Sequence, residues 1–229
     1  MACIKLKKLE TFLQSVDDFV KLKVKVKLEQ YMTPPHIASQ VLYDIQTKFK
    51  DLEDRSVLDL GCGSGMLSIG AALLGASYVI GAEIDPDAVE IFLKNCTEFE
   101  LANIDCVQVD VLQLETLFGV GQFDIVLMNP PFGTKQNSGI DMAFLHVGIK
   151  LARCAVYSMH KSSTRDFIRK KVAQWNVKGT VLAELRYNLE STYKFHKRSS
   201  VDVAVDLWRF DLLSGGRVDS IEATTKAVV

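Results

Sequence analysis

The 229-residue chain has no Cys-x-x-Cys pair, and its five cysteines are Cys3, Cys62, Cys96, Cys106 and Cys154. An odd number without such pairs reads neither as a disulfide framework nor as a structural zinc site. The cysteines fit a reduced compartment as small apolar fillers, with Cys62 a loop residue rather than a nucleophile. No apolar run reaches the length of a membrane span. The first residues, Met1-Ala2-Cys3-Ile4-Lys5-Leu6-Lys7-Lys8, lack the apolar core of a signal peptide. We therefore expect a soluble, intracellular protein. His160 and His196 do not fall at metal-ligand spacing, so no metal is assigned.

Net charge is scarce as well, at −1. Its distribution is uneven. From Asp51 to Asp124 fourteen acidic residues face only Arg55 and Lys94, a balance of −12. From His160 to Ser200 ten basic residues face Asp166, Glu184 and Glu190, a balance of +7, and Lys21, Lys23, Lys25 and Lys27 add a second basic stretch. A polyanion would be repelled by the first region and attracted to the other two. Solvated helix faces would give the same pattern, so charge alone does not decide. What the chain does have is apolar residues, 48% of it, enough to bury a core.

The centre of the chain alternates strand-like and helical segments. Ser56–Leu60 is a short apolar run ending in glycine, and residues 66–74 are helical in composition up to Gly75. Tyr78–Glu83 is the next strand. Pro86 follows at a first-turn position, with Ala88, Ile91, Phe92 and Cys96 along one helical face. Residues 106–109 read as a third strand and Phe123–Met128 as a fourth. Such alternation implies a parallel sheet with right-handed crossovers. Then come a helix around 142–152, a strand at 155–159, a helix at 162–175, and strands at 180–187 and 201–210. The last two have no helix between them and should pair antiparallel at the sheet edge.

Asp59-Leu60-Gly61-Cys62-Gly63-Ser64-Gly65 follows the first strand and opens a helix. Glycines at alternate positions make a tight turn whose backbone can approach a ligand closely. Glu83 ends the next strand about 20 residues on, where a carboxylate reaches ribose hydroxyls. The spacing departs from the dinucleotide fingerprint, which argues against a pyrophosphate. It resembles the S-adenosylmethionine loop of class I methyltransferases, a likeness running from about residue 30 to 210. That resemblance implies an α/β, Rossmann-like fold: a mostly parallel seven-stranded sheet with an antiparallel C-terminal edge and helices on both faces. The domain is expected at residues 34–212, after a basic, cofactor-covering extension (1–33) and before a flexible tail (213–229). The resemblance also implies cofactor contacts from Asp59, Gly61, Cys62, Gly63, Ser64 and Met66. Glu83 would hold the ribose, with Ile84 against the adenine, Asp110 at its amino group and Val111 walling its pocket. Asp110 has an ordinary reading too, as a turn or helix cap, and Asp85 reads as a cap ahead of Pro86.

Asn129-Pro130-Pro131-Phe132 closes the fourth strand. The two prolines fix φ and remove two backbone donors, and the aromatic can present its face to a flat ring. An exocyclic amine on a ring is a poor nucleophile because its lone pair is delocalised. Two acceptors, the Asn129 side-chain oxygen and the Pro130 carbonyl, can hold its hydrogens and turn the lone pair toward a methyl group. Phe132 would stack on the base. The tetrapeptide resembles the signature of methyltransferases acting on amino groups of adenine, guanine or glutamine.

Gln30-Tyr31-Met32-Thr33-Pro34 is similar to a segment that covers the cofactor in such enzymes, implying contacts from Gln30 and Thr33. It also reads as a helix start, with Thr33 as N-cap and Pro34 at N1. Leu28-Glu29-Gln30-Tyr31, Asp59-Leu60-Gly61-Cys62-Gly63, Asn129 to Lys135, Tyr157-Ser158-Met159-His160-Lys161 and Tyr193-Lys194-Phe195-His196-Lys197 go further. Together they resemble the eukaryotic methyltransferases that form N6-methyladenosine in small-subunit ribosomal RNA, an activity compatible with both the cytoplasm and the nucleus or nucleolus. That family pairs with a small zinc-binding activator subunit. By this resemblance Lys135, Lys194, Phe195, His196, Lys197 and Arg198 form the RNA-facing rim, and an exposed edge strand at residues 106–109, flanked by Ile104, Val111 and Leu112, receives the activator. The alternative is a protein-glutamine N5 methyltransferase, which more often carries Tyr in place of Phe132.

Overall fold

The computed structural model describes residues 4–18, 32–132, 138–190 and 200–212. Helices α1 (Leu6–Leu13) and α2 (Pro35–Asp44) precede β1 (Ser56–Leu60), α3 (Met66–Leu73), β2 (Tyr78–Glu83), α4 (Pro86–Glu98) and β3 (Ile104–Gln108). Then follow α5 (Leu114–Leu117), β4 (Phe123–Met128), α6 (Ile140–Leu151), β5 (Ala152–Lys161), α7 (Arg165–Gln174), β6 (Lys178–Glu190) and β7 (Ser200–Asp211). The strands form one sheet in the order β3-β2-β1-β4-β5-β7-β6. β1 to β5 pair in parallel, whereas β7 runs antiparallel between β5 and β6. The expected sheet, parallel with an antiparallel end, is what the chain forms.

Strand faces alternate as a pleated backbone requires. Val57, Val79, Ile125 and Leu127 enter one core layer, packed by α1 to α4. Leu58, Leu60, Val126 and Met128 enter the other, with α6 and α7. The sequence reading missed α1, although Leu9 and Leu13 are fully buried. β5 and β6 run longer than their apolar patterns because β7 supplies partners along most of β5, from Ala155↔Asp211 to Lys161↔Val205, and along β6 from Lys178↔Asp211 to Glu190↔Ser200. β3 starts two residues earlier than expected, since β2 pairs it from Val79↔Ile104 to Glu83↔Gln108.

One local expectation is overturned. Thr33 does not cap α2: Pro34 is the N-cap residue and Pro35 takes the first helical turn. The Thr33 hydroxyl is engaged instead with Asn129, across the sheet end. Asp85, by contrast, caps α4 by accepting from the Asp87 N–H at 3.1 Å.

Register positions the site. Leu60 pairs with Met128, and Met128 with Ser158. The residues that leave β1 and β4, Gly61 and Asn129, therefore emerge side by side at the carboxyl end of the sheet, where open α/β folds bind ligands.

Candidate active site

The glycine loop holds its shape through backbone contacts that only small residues permit. Gly61, Gly63 and Gly65 all have positive φ, at 69°, 56° and 95°. Cys62 packs over Gly81, where an added Cβ would sit 2.6 Å from the Cys62 sulfur. The loop is tied down at both ends. Gly61 and Cys62 donate their N–H groups to the Ala82 carbonyl, and the buried Asn95 amide donates to the Ser64 carbonyl at 2.9 Å. Asn95 also bonds Asp17 in both directions, joining the loop to the segment after α1. Sequence reading passed over Asn95; its only signal was a polar residue beside Phe92 and Cys96 on the buried face of α4.

Glu83 ends β2 against the loop. Its carboxylate accepts from the N–H groups of Gly63 at 3.0 Å and of Ile84 and Asp85 at 2.9 Å. One side chain thus fixes the loop and its own strand end together. Burial pushes the carboxyl up, and the three N–H donors oppose that shift. Ile84 beside it is 47% exposed, an apolar surface with nothing yet to cover it. Burial likewise pushes the Cys62 thiol well up, the opposite of what an activated thiolate needs.

Met32, Thr33, Asp59, Gly61, Cys62, Gly63, Ser64, Met66, Leu67 and Asn129 line one cleft of about 330 Å³, its open mouth included. The structure therefore brings Thr33 and most of the loop residues to Asn129. Met32 and Leu67 join them unforeseen, and the Ser64 hydroxyl donates to the Met32 sulfur at 3.3 Å. Glu83, Ile84, Asp110 and Val111 lie outside this lining. Asp110 accepts from the Leu112 N–H and caps a short 3-10 turn, and Val111 is buried in the second core layer. Gln30, Lys135 and residues 194–198 lie outside the described residues, as does the basic stretch 21–27.

Asp59 sits fully buried beneath the loop, accepting from the Ser68 hydroxyl at 2.6 Å. Burial pushes its carboxyl up to about 7, against the Ser68 hydrogen bonds, with Glu83 adding repulsion. The folded state then binds a proton more tightly than the unfolded chain does. Stability associated with Asp59 is full below its unfolded value near 3.8 and is lost as pH rises to about 7. Within that window the loss is up to about 1.4 kcal/mol per pH unit. Asp59→Asn keeps an acceptor for Ser68 and removes the carboxyl. Its melting temperature, followed from pH 4 to 8, should fall less steeply than that of the wild type.

Asn129 carries the most telling atom. Its Nδ2 donates to the Thr33 oxygen at 3.0 Å, while its Oδ1 is buried and finds no hydrogen-bond partner among the described residues. A buried acceptor left empty costs about 1–3 kcal/mol, and such atoms are rare in folded proteins. The other orphan, Trp208 Nε1, is a donor walled into the second core layer; Asn129 opens on the cleft. Beside it Phe132 is half-buried, with Tyr187 edge-on at 6.3 Å and the Lys161 ammonium 5.8 Å from the ring centre.

A seven-stranded sheet of this order, a glycine loop after β1, a carboxylate ending β2 and an empty amide acceptor ending β4 define a class I methyltransferase that acts on an amino group. The family model for ribosomal protein L11 methyltransferase (PrmA) matches residues 39–130. The rRNA N(6)-adenosine-methyltransferase Mettl5 of Drosophila melanogaster is 54% identical over 212 residues, covering 93% of this chain and 99% of that protein. METTL5 of Danio rerio, described in the same words, is 55% identical over 207 residues, covering 90% and 99%. A solved structure from Pyrococcus horikoshii, provisionally described as an RNA methyltransferase, has a TM-score of 0.76 at 34% identity, covering 91% of this chain and 98% of its own. The chain belongs to the rRNA N6-adenosine-methyltransferase family, and S-adenosylmethionine is its methyl donor.

Proposed function

We propose that the chain methylates N6 of an adenosine in 18S ribosomal RNA of the small subunit, as the catalytic half of a heterodimer with a small zinc-binding activator. The observation that carries the catalytic part is the empty Oδ1 of Asn129. S-adenosylmethionine supplies an electrophilic methyl group on a sulfonium. The residues fit it: the glycine-rich backbone of Gly61–Gly65 gives a cradle, Glu83 holds its middle through the Gly63 N–H, and Thr33 lines the same cleft. Asn129 Oδ1 and the Pro130 carbonyl accept the two hydrogens of the adenine amine. The lone pair would thereby be turned out of conjugation, toward the methyl group that the donor supplies when bound. As positive charge grows on the nitrogen, two fixed oxygens would stabilise it without reorganising. Phe132 stacks on the base, a contact worth about 1–3 kcal/mol, and Tyr187 holds the Phe132 ring edge-on.

RNA affinity comes from the rim expected at Lys135 and residues 194–198, with Lys161 beside Phe132 as a further cation. The activator reading is supported by β3, an edge strand that among the described residues pairs only with β2. On the neighbouring segments Ile84, Leu93 and Leu112 are exposed apolar side chains. The isolated chain should accordingly be poorly soluble, and co-expression with the activator should rescue it. A monodisperse, fully active monomer would refute this.

Labelled S-adenosylmethionine offered with stripped ribosomal RNA or with a glutamine-bearing release-factor peptide separates the two amino substrates. Label in RNA that digests to N6-methyladenosine supports the proposal. Label in the peptide supports glutamine methylation instead.

A further inference from the structure

We propose that Asn95 is a positioning residue that couples the docking of α1 to the binding of S-adenosylmethionine. The inference rests on the reading of the Gly61–Gly65 loop as the cofactor cradle. Asn95 lies outside the lining of the cleft and is wholly buried on α4. A buried amide is stable only when its donors and its oxygen find partners. Here backbone groups of two distant segments meet that need. Oδ1 accepts from the Asp17 N–H at 3.0 Å, while Nδ2 donates to the Asp17 carbonyl at 3.1 Å and to the Ser64 carbonyl at 2.9 Å. Turning the amide round would set donor against donor and acceptor against acceptor. One side chain therefore grips both segments at once.

What it grips matters on each side. Ser64 belongs to the loop and lines the cleft, between Gly63, which is bonded to Glu83, and Gly65, the N-cap of α3. Asp17 follows α1, whose Leu9 and Leu13 are fully buried and which packs on α2 and α3. The N-terminal helix thus bears on the loop twice, through α3 and through Asn95. A further tie comes from later in the chain. The described residues run to Asp18 and resume at Met32, whose sulfur accepts from the Ser64 hydroxyl at 3.3 Å. Ser64 is held to the chain before β1 by its carbonyl, through Asn95, and by its hydroxyl, directly.

A loop shaped for a ligand and a bond that forms only in that shape favour each other. Whatever factor the Asn95–Ser64 bond adds to cofactor affinity, bound cofactor returns to that bond, and so to the docking of α1, by linkage. The ion pair of Lys94 with Asp17, 2.6 Å apart, adds little to this, because both side chains are more than a third exposed.

Asn95→Ala in the full chain, with its activator, should raise the dissociation constant for S-adenosylmethionine at least about tenfold. A buried hydrogen-bonding group left without its partner weakens an equilibrium by this much. At saturating cofactor kcat should stay within about threefold of wild type. Ile168→Ala, a fully buried position in the second core layer, should lower the melting temperature and move the dissociation constant less than about twofold. In the wild type, saturating cofactor should slow hydrogen exchange in the peptide carrying Asp17 by about tenfold. Asn95→Ala should lack that response. An unchanged dissociation constant in Asn95→Ala overturns the coupling. So does wild-type exchange at Asp17 that ignores the cofactor, a result that decides the matter even where the variant does not fold. An equal loss of affinity in Ile168→Ala overturns it in favour of general loosening. Gly63→Val, which adds a branched side chain to the lining of the cleft, separates the two readings. If it binds the cofactor as the wild type does, the reading of the loop fails first. If it abolishes binding while Asn95→Ala binds normally, the coupling alone fails.

Discussion

Asn129→Ala should lower kcat by about 10²–10³-fold or more, the range seen when one preorganised polar group is removed from a developing charge. The cofactor dissociation constant should remain within a few-fold of wild type. The split follows from where the amide's atoms go. Nδ2 is engaged with Thr33 and Oδ1 with nothing in the described protein, so the oxygen is free to act on substrate. Alanine deletes an interaction formed fully only as charge develops on the amine, which lowers kcat and leaves KM largely alone. The fold should tolerate the change, because the deleted acceptor satisfies no donor among the described residues. Rapid-quench single turnover with labelled cofactor, with binding measured separately by calorimetry, checks both halves. A variant that turns over at near-normal rate would mean that the amine is held by something else.

Glu83→Ala should act on the opposite parameter. The carboxylate accepts three backbone N–H groups, one of them from Gly63 in the loop itself. Its loss leaves these donors without their acceptor, loosens the cradle and removes the group expected at the ribose. Hydrogen bonds to a charged group contribute about 1.5–3 kcal/mol each. Losing the worth of even one raises the cofactor dissociation constant roughly 10–100-fold. At saturating cofactor, kcat should recover much of its wild-type value, since Asn129 is untouched. Calorimetric titration with S-adenosylmethionine reads this directly. An unchanged dissociation constant would show that Glu83 is a structural carboxylate only.

Much of this was legible in the amino acids because the features are local. Five parallel strands, the turn after β1 and the proline turn after β4 each announce themselves within a dozen residues, through hydrophobic runs, glycine spacing and two adjacent prolines. What escaped is long-range. Thr33 reads as a helix cap from its neighbours, and only the fold brings it 3.0 Å from Asn129, 96 residues away. Asn95 is one polar residue on an apolar face until Ser64 and Asp17 are placed against it. Tyr187 is an ordinary strand aromatic until the return of β7 sets β6 beside the site. α1 was overlooked because its charged residues conceal the buried pair Leu9 and Leu13. Pairings that depend on the closed sheet leave no periodic trace in the chain.

One reaction at one position of an adenine ring is what the active site is built to perform. Nucleoside mass spectrometry of 18S ribosomal RNA from cells lacking the protein, then restored with wild type or with Asn129→Ala, tests it most directly. N6-methyladenosine should fall without the protein, return with the wild type and stay absent with the variant. Undiminished N6-methyladenosine in the deficient cells, or its return with Asn129→Ala, would contradict the account.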